Sequence, residues 1–194
     1  MASITFNGGG KLERVLREMA EKIGKAQTLK VGFMAGGAYP NKDQTSIPMV
    51  AAIQNYGAPA VGIPPRPFFS NMVAKESSHW GRDLAKILPS VDMDSDIALK
   101  QLGRMIGDEL QQSIIDTNDP PLSPVTLMLR KMRSEDSNFQ GSRTKVMEAR
   151  QKVADGESYG GVNTKVLIDT GVMKNAVQYD VDGEVFDMPK KDGE

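Results

Sequence analysis

The residues able to do chemistry are few, and their spacing narrows them further. The chain has one histidine, His79, and no cysteine. Disulfides and thiolate-bound metals are thereby excluded. A single imidazole builds neither a multi-histidine metal site nor, without a marked partner, a nucleophile–base pair. Beside Trp80 in a helical pattern, His79 is expected to be structural. Asp92, Asp94 and Asp96 alternate as a calcium loop begins, but Ile97 and Gly103 hold the sixth and twelfth positions, where that loop needs Gly and Glu. They read instead as a charged helix start, favoured by the helix dipole. Gly8 to Lys11 resemble the end of a phosphate-binding loop, yet Thr5 and Leu12 stand where that motif needs Gly and Ser or Thr. No pair of groups is marked for catalysis. The expectation is a protein that is not an enzyme and needs no metal or cofactor.

Three other features stand out. In GIPPRPFFSNM, residues 62–72, Pro64, Pro65 and Pro67 enclose Arg66 directly before Phe68 and Phe69. Read structurally, the prolines fix a helix start, and Arg66 caps carbonyls or pairs with an acid. Read functionally, a stiff arm carrying Arg and Phe is preorganised to dock on a partner. The second feature is a basic run, Arg130, Lys131, Arg133, Arg143, Lys145, Arg150 and Lys152. It is either a solvated helix face or a patch facing DNA or an acidic partner. The third is Asp169, Thr170 and Gly171, whose side-chain oxygens and glycine suit the capping of a turn.

These features need elements to hold them. At 194 residues, with 39% hydrophobic and 25% charged residues, the chain is expected to form one domain spanning 1–194. Twelve methionines point to adaptable packing. Residues 1–90 carry 11 Lys/Arg against 6 Asp/Glu and residues 91–194 carry 13 against 19, so neither half is a polycation. No apolar run reaches membrane-span length and the N-terminus lacks a signal-peptide core, so a soluble cytoplasmic product is expected. Helical spacing predicts helices over 11–24, from Ser46 to Gly57, from Pro67 past Ile87, over 96–115, from Pro124 through about Arg133, and near 143–154. Thr28–Met34 alternates as a strand. The segment from Val166 reads as a short strand, a turn, one helical turn, and a hairpin tipped by Asp182 and Gly183. Residues 134–164 are expected to be a polar, mobile helical insertion, and 187–194 a flexible tail. The predicted class is α+β: two or three long helices against a small, mainly antiparallel sheet.

Several matches in order carry a family resemblance: VGFMAGGAYP, VAAIQNYGAPAVGIPPRPFF, the helix with Trp80 and Gly81, PPLSPVT, and LIDTGVMKNAVQY. Over about 28–133 and 165–186 the chain resembles the phage neck and tail-completion (head–tail joining) family, gene-10-like proteins of the HK97 type. Residues 134–164 and the short end beyond Phe186 depart from the usual pattern. The resemblance implies a structural virion protein made in the host cytoplasm. It implies copies in a ring against neck, connector or tail-tube neighbours, with packaged DNA in the channel and no membrane. Two rivals stay open: a DNA-contacting accessory assembly factor using 130–152, and a hydrolase with an unmarked carboxylate site.

Overall fold

The structure, a computed structural model, describes residues 27–40, 45–136 and 138–190, together with Arg14 and Glu18. The helix expected over 11–24 lies outside the described residues apart from those two.

Three strands form one antiparallel sheet in the order β1-β2-β3: β1 (Leu29–Gly32), β2 (Gln178–Val181) and β3 (Glu184–Asp187). Asp182 and Gly183, with φ of 52° and 94°, make the tight turn between β2 and β3. The tip is tied to the first strand: Thr28 N–H donates to Asp182 Oδ1 at 2.7 Å and Asp182 N–H to the Thr28 carbonyl at 3.1 Å. The register places Val31 opposite Tyr179 and Leu29 opposite Val181.

Among the described residues, six helices accompany this sheet. α1 (Ile47–Tyr56) starts on Ser46, whose hydroxyl accepts from Met49 N–H, and stops at Gly57. A 3₁₀ turn, Pro59–Val61, leads into the proline segment. Two long helices follow, α2 (Phe68–Ser90) and α3 (Ser95–Asp116). Asp94 caps α3 by accepting from Asp96 and Ile97 N–H, so the aspartate alternation is a helix start as expected. α3 packs on α2 and on β1 and β2. Gly103 makes that approach: a Cβ there would fall 2.7 Å from the Tyr179 ring and 2.8 Å from Leu29. The main core gathers Ile47, Phe68, Met72, Ile106, Leu110 and Val177.

The remaining helices are α4 (Pro124–Glu135), α5 (Arg143–Ala154) and α6 (Val172–Asn175). The expected helix near 143–154 is thus present. It packs onto α4 through a second, small core of Met128, Met132 and Ala149, with Phe139 and Tyr159 against it. The polar segment 134–164, expected as a mobile helical insertion, is thus helical over 143–154 and packs on α4 through an apolar seam.

Two further expectations are corrected. No strand forms at 166–168; Val166 and Leu167 are buried, and the carbonyls of that segment face a side chain instead of a neighbouring strand. The tail is anchored at its start. Met188 is buried against Gly107 of α3, and the Pro189 carbonyl accepts from the buried amide of Gln111. The α+β class stands as predicted.

Candidate functional site

The proline segment, α4 and the 169–171 turn meet around a groove of about 1210 Å³. Pro64 and Arg66 line one wall, Arg130 and Arg133 the second, and Asp169, Thr170 and Gly171 the floor between them. Three features spread from Pro64 to Gly171 in the sequence thus share one concavity.

The first wall is rigid for identifiable reasons. Gly57 adopts φ 76°, and a Cβ on it would lie 2.8 Å from Pro65 N and 2.9 Å from the Ile63 carbonyl. Only glycine lets the prolines fold back this closely. Arg66 N–H then donates to the Gln54 carbonyl at 2.7 Å, fastening the arm to the last turn of α1. α2 begins one residue after Pro67 and has no side-chain cap of its own. Asn55 of α1 supplies it: its buried Oδ1 accepts from Phe69 and Ser70 N–H at 3.0 and 3.2 Å. The open N–H groups of a helix start are satisfied by a neighbour.

Arg66 is 7% exposed, not a free anchor. Its Nε donates to the Pro120 carbonyl at 3.2 Å and one terminal nitrogen to Gln54 Oε1 at 3.2 Å. Burial lowers its pKa from the ordinary arginine range. Phe68 is fully buried, edge-on to Phe33 at 6.3 Å between ring centres, and Phe69 is half-buried. Of the proposed docking residues, Pro64 and Pro65 remain exposed, while Arg66 and Phe68 belong to the interior. The prolines stiffen a strut in which Arg66 caps a carbonyl, the structural reading of the segment, and Arg66 and Phe68 are not exposed for docking.

The basic run is also divided by the structure. One terminal nitrogen of Arg130 donates to the carbonyls of Asn163, Lys165 and Ile168 at 2.6, 2.8 and 3.3 Å, and the other to Val166 at 3.4 Å. The guanidinium thereby supplies the donors that a neighbouring strand would have given to 163–168. Burial lowers the Arg130 pKa, against the opposing pull of Asp169. Arg133 pairs with Asp169, and Lys131 donates to the Ser158 carbonyl at 2.7 Å. Lys145 and Lys152 pair with Glu148 and Glu157. Only Arg143 and Arg150 of the seven extend as exposed cations with no such contact among the described residues. Arg130, Lys131 and Arg133 thus clamp 158–169, while Lys145 and Lys152 pair with acids at 148 and 157.

The third feature is corrected in part. Gly171 does take positive φ, 75°, at the start of α6, but no side chain caps that helix. Asp169 faces Arg130 and Arg133, and Thr170 is exposed on the groove floor. Across the groove, Tyr39 has its phenol pKa raised, first by burial and then by the charge of Asp169.

Gln54, Asn55 and Pro120 escaped the sequence reading. A signal for Asn55 existed: a polar residue on the buried side of α1 and a helix at Phe68 with no cap residue before it. Nothing local marks Pro120, whose role comes from tertiary approach.

The arrangement offers no aligned nucleophile and base among the described residues. It offers a stiff, cation-walled groove beside an unusually neutral surface. No charged residue occurs between Asp43 and Arg66. Within that stretch Met49 is 53%, Tyr56 73% and Val61 73% exposed. Met49, Ala52 and Tyr56 recur at helical spacing along the outer side of α1. No described helix is long and apolar enough to cross a membrane. Comparisons with family models, with curated proteins and with solved structures return no match to this chain.

Proposed function

We propose that this chain is a structural virion protein of a tailed bacteriophage, completing the tail at the head–tail neck. It acts as copies in a ring, against neighbouring neck, connector or tail-tube proteins, without catalysis. The observation that carries the reading is the charge-free outer side of α1 and the turn after it, presenting Met49, Tyr56 and Val61 to solvent. Exposed large apolar residues gathered on one rigid element mark contact surfaces between proteins. The rigidity comes from Gly57, Asn55 and Arg66, so little conformational freedom is lost on docking. The same stretch holds the residues that resemble the neck family, IQNYGAPAVGIPPRPFF. Under this reading the signature encodes a stiff frame, and its exposed Tyr56 and Val61, with Met49 just before it, make the contact.

The sheet adds a second means of association. β3 is an edge strand with Val185 exposed, suited to pairing with another chain. Head-to-tail contacts between identical copies close into rings when the rotation allows. A DNA-contacting role for 130–152 has less support, because five of its seven cations already hold protein partners.

Removing the gene from a phage that carries it tests the reading. The expected result is DNA-filled heads and separately assembled tails, or heads with unstable tails, with genome replication continuing and normal particles restored by the gene in trans. Normal particles without the gene, or arrest of DNA synthesis, would overturn it.

A further inference from the structure

The only histidine of the chain, which does not line the groove, sits in a set of carboxylates drawn from two helices. Glu76, His79 and Asp83 lie on one side of α2, three and four residues apart, so successive turns bring them together. His79 Nδ1 is 2.8 Å from Asp83 Oδ2, and Nε2 is 2.7 Å from Glu76 Oε2. From α3, Glu109 reaches the same place, with its Oε2 accepting the indole N–H of Trp80 at 2.9 Å. Lys75 pairs with the other Glu76 oxygen and Lys86 with the other Asp83 oxygen, each at 2.8 Å. The ligand atoms of Glu76, His79 and Glu109 all lie within 4.8 Å of one another, and all three residues are half-buried.

We propose that Glu76, His79 and Glu109 form a binding site for a divalent transition-metal ion of the zinc class, joining α2 to α3. The chemistry of the donor set argues for this class. One imidazole with two carboxylates suits zinc and its first-row neighbours, whereas calcium and magnesium take oxygen shells. The surroundings are arranged as such sites are. Asp83 holds Nδ1, which fixes the ring and leaves Nε2 for the ion, and the Trp80 indole orients the Glu109 carboxylate. Tetrahedral ligands at about 2.1 Å from one ion lie about 3.4 Å apart. Ligand atoms now up to 4.8 Å apart close to that spacing by side-chain rotations of about an ångström. Three protein ligands leave a position for water.

A proton on Nε2 answers Glu76 alone, while an ion there would join all three groups across the seam. On binding, the metal replaces that proton, which leaves to solvent, and neutral His79 becomes the ligand. None of its residues lines the groove, and the site does not depend on the neck reading.

The chain itself makes the test clean, because with one histidine and no cysteine every imidazole signal is His79. Untagged full-length protein is titrated with Zn2+, with Mg2+ as control, while the His79 ring resonances and the melting temperature are followed. Co2+ absorption reports ligand geometry. Saturable uptake of one Zn2+ per chain is expected, with shifted His79 resonances, a raised melting temperature, and no competition from millimolar Mg2+. Glu109→Gln keeps an oxygen for the Trp80 indole and so preserves the metal-free fold, yet should weaken uptake roughly tenfold or more. Asp83→Asn, which alters the hydrogen bond that orients the ring and the pairing with Lys86 but removes no ligand, should weaken it on the order of tenfold. Absence of 1:1 uptake by the unaltered chain, or uptake unchanged in both Glu109→Gln and His79→Gln, would overturn the proposal.

Discussion

Arg130 Nε lies 3.4 Å from Asp169 Oδ1 while the same guanidinium receives the carbonyls that precede Asp169 in the chain. One side chain of α4 therefore holds the whole bend from 163 to 169. This contact fixes Val166 and Leu167 in the core and sets the floor of the groove.

Arg130→Ala should cost about 2–4 kcal/mol, because several carbonyls and the Asp169 carboxylate lose their donor together. Arg130→Lys should recover only part, since an ammonium cannot fork across four carbonyls. Urea unfolding with unchanged slope measures both. A loss under about 0.5 kcal/mol for Arg130→Ala would mean that water replaces the clamp.

Arg66 leads to a second expectation, opposite to that for an exposed anchor. Arg66→Ala should destabilise the isolated chain by about 1–3 kcal/mol, through the lost bonds to Pro120 and Gln54. Asn55→Ala should cost a similar amount, because it uncaps α2. Unaltered melting temperatures for both variants would show that the arm is not held from within.

The pH behaviour of Tyr39 probes the groove directly. Its folded pKa stands above the unfolded value of 10.0. The neutral phenol therefore contributes stability that is present below about pH 10 and is lost as pH rises through the folded value. Ultraviolet difference titration against Tyr39→Phe should show one tyrosine ionising above pH 10. Asp169→Asn should bring that midpoint down, because it removes the opposing charge. A midpoint at or below 10 for Tyr39 would contradict the placement.

The elements with strong local signals were legible in the sequence. Ser46 and Gly57 bound α1, Asp94 starts α3, Ser123 and Pro124 start α4, and Asp182-Gly183 turns the last hairpin, all as spacing predicts. What escaped is tertiary. Val166, Leu167 and Ile168 have strand composition, but an arginine across the groove supplies their hydrogen bonds, and no local pattern reports that. The polar average of 134–164 concealed Ala149, Phe139 and Tyr159, which close on Met128 and Met132. Arg66 was visible as a constrained residue, yet its burial depends on Pro120, 54 positions away. The site was thus legible as three motifs and illegible as one groove.

The neck assignment predicts that the outer side of α1 touches a neighbour in the particle. Tyr56→Asp and Val61→Asp lie on exposed positions and should leave folding within about 0.5 kcal/mol of the parent. Phage supplied only with the double variant should yield far fewer joined particles. Intact yield of tailed particles would remove α1 from the contact.

The most direct measurement of the central claim is the location of the chain in the particle. Phage carrying a density-labelled copy of this protein are imaged by electron cryomicroscopy, and the label is averaged about the tail axis. The account predicts labelled density as a ring between the head and the tail tube. Label distributed over the capsid, at the distal tail tip, or absent from purified particles would contradict it.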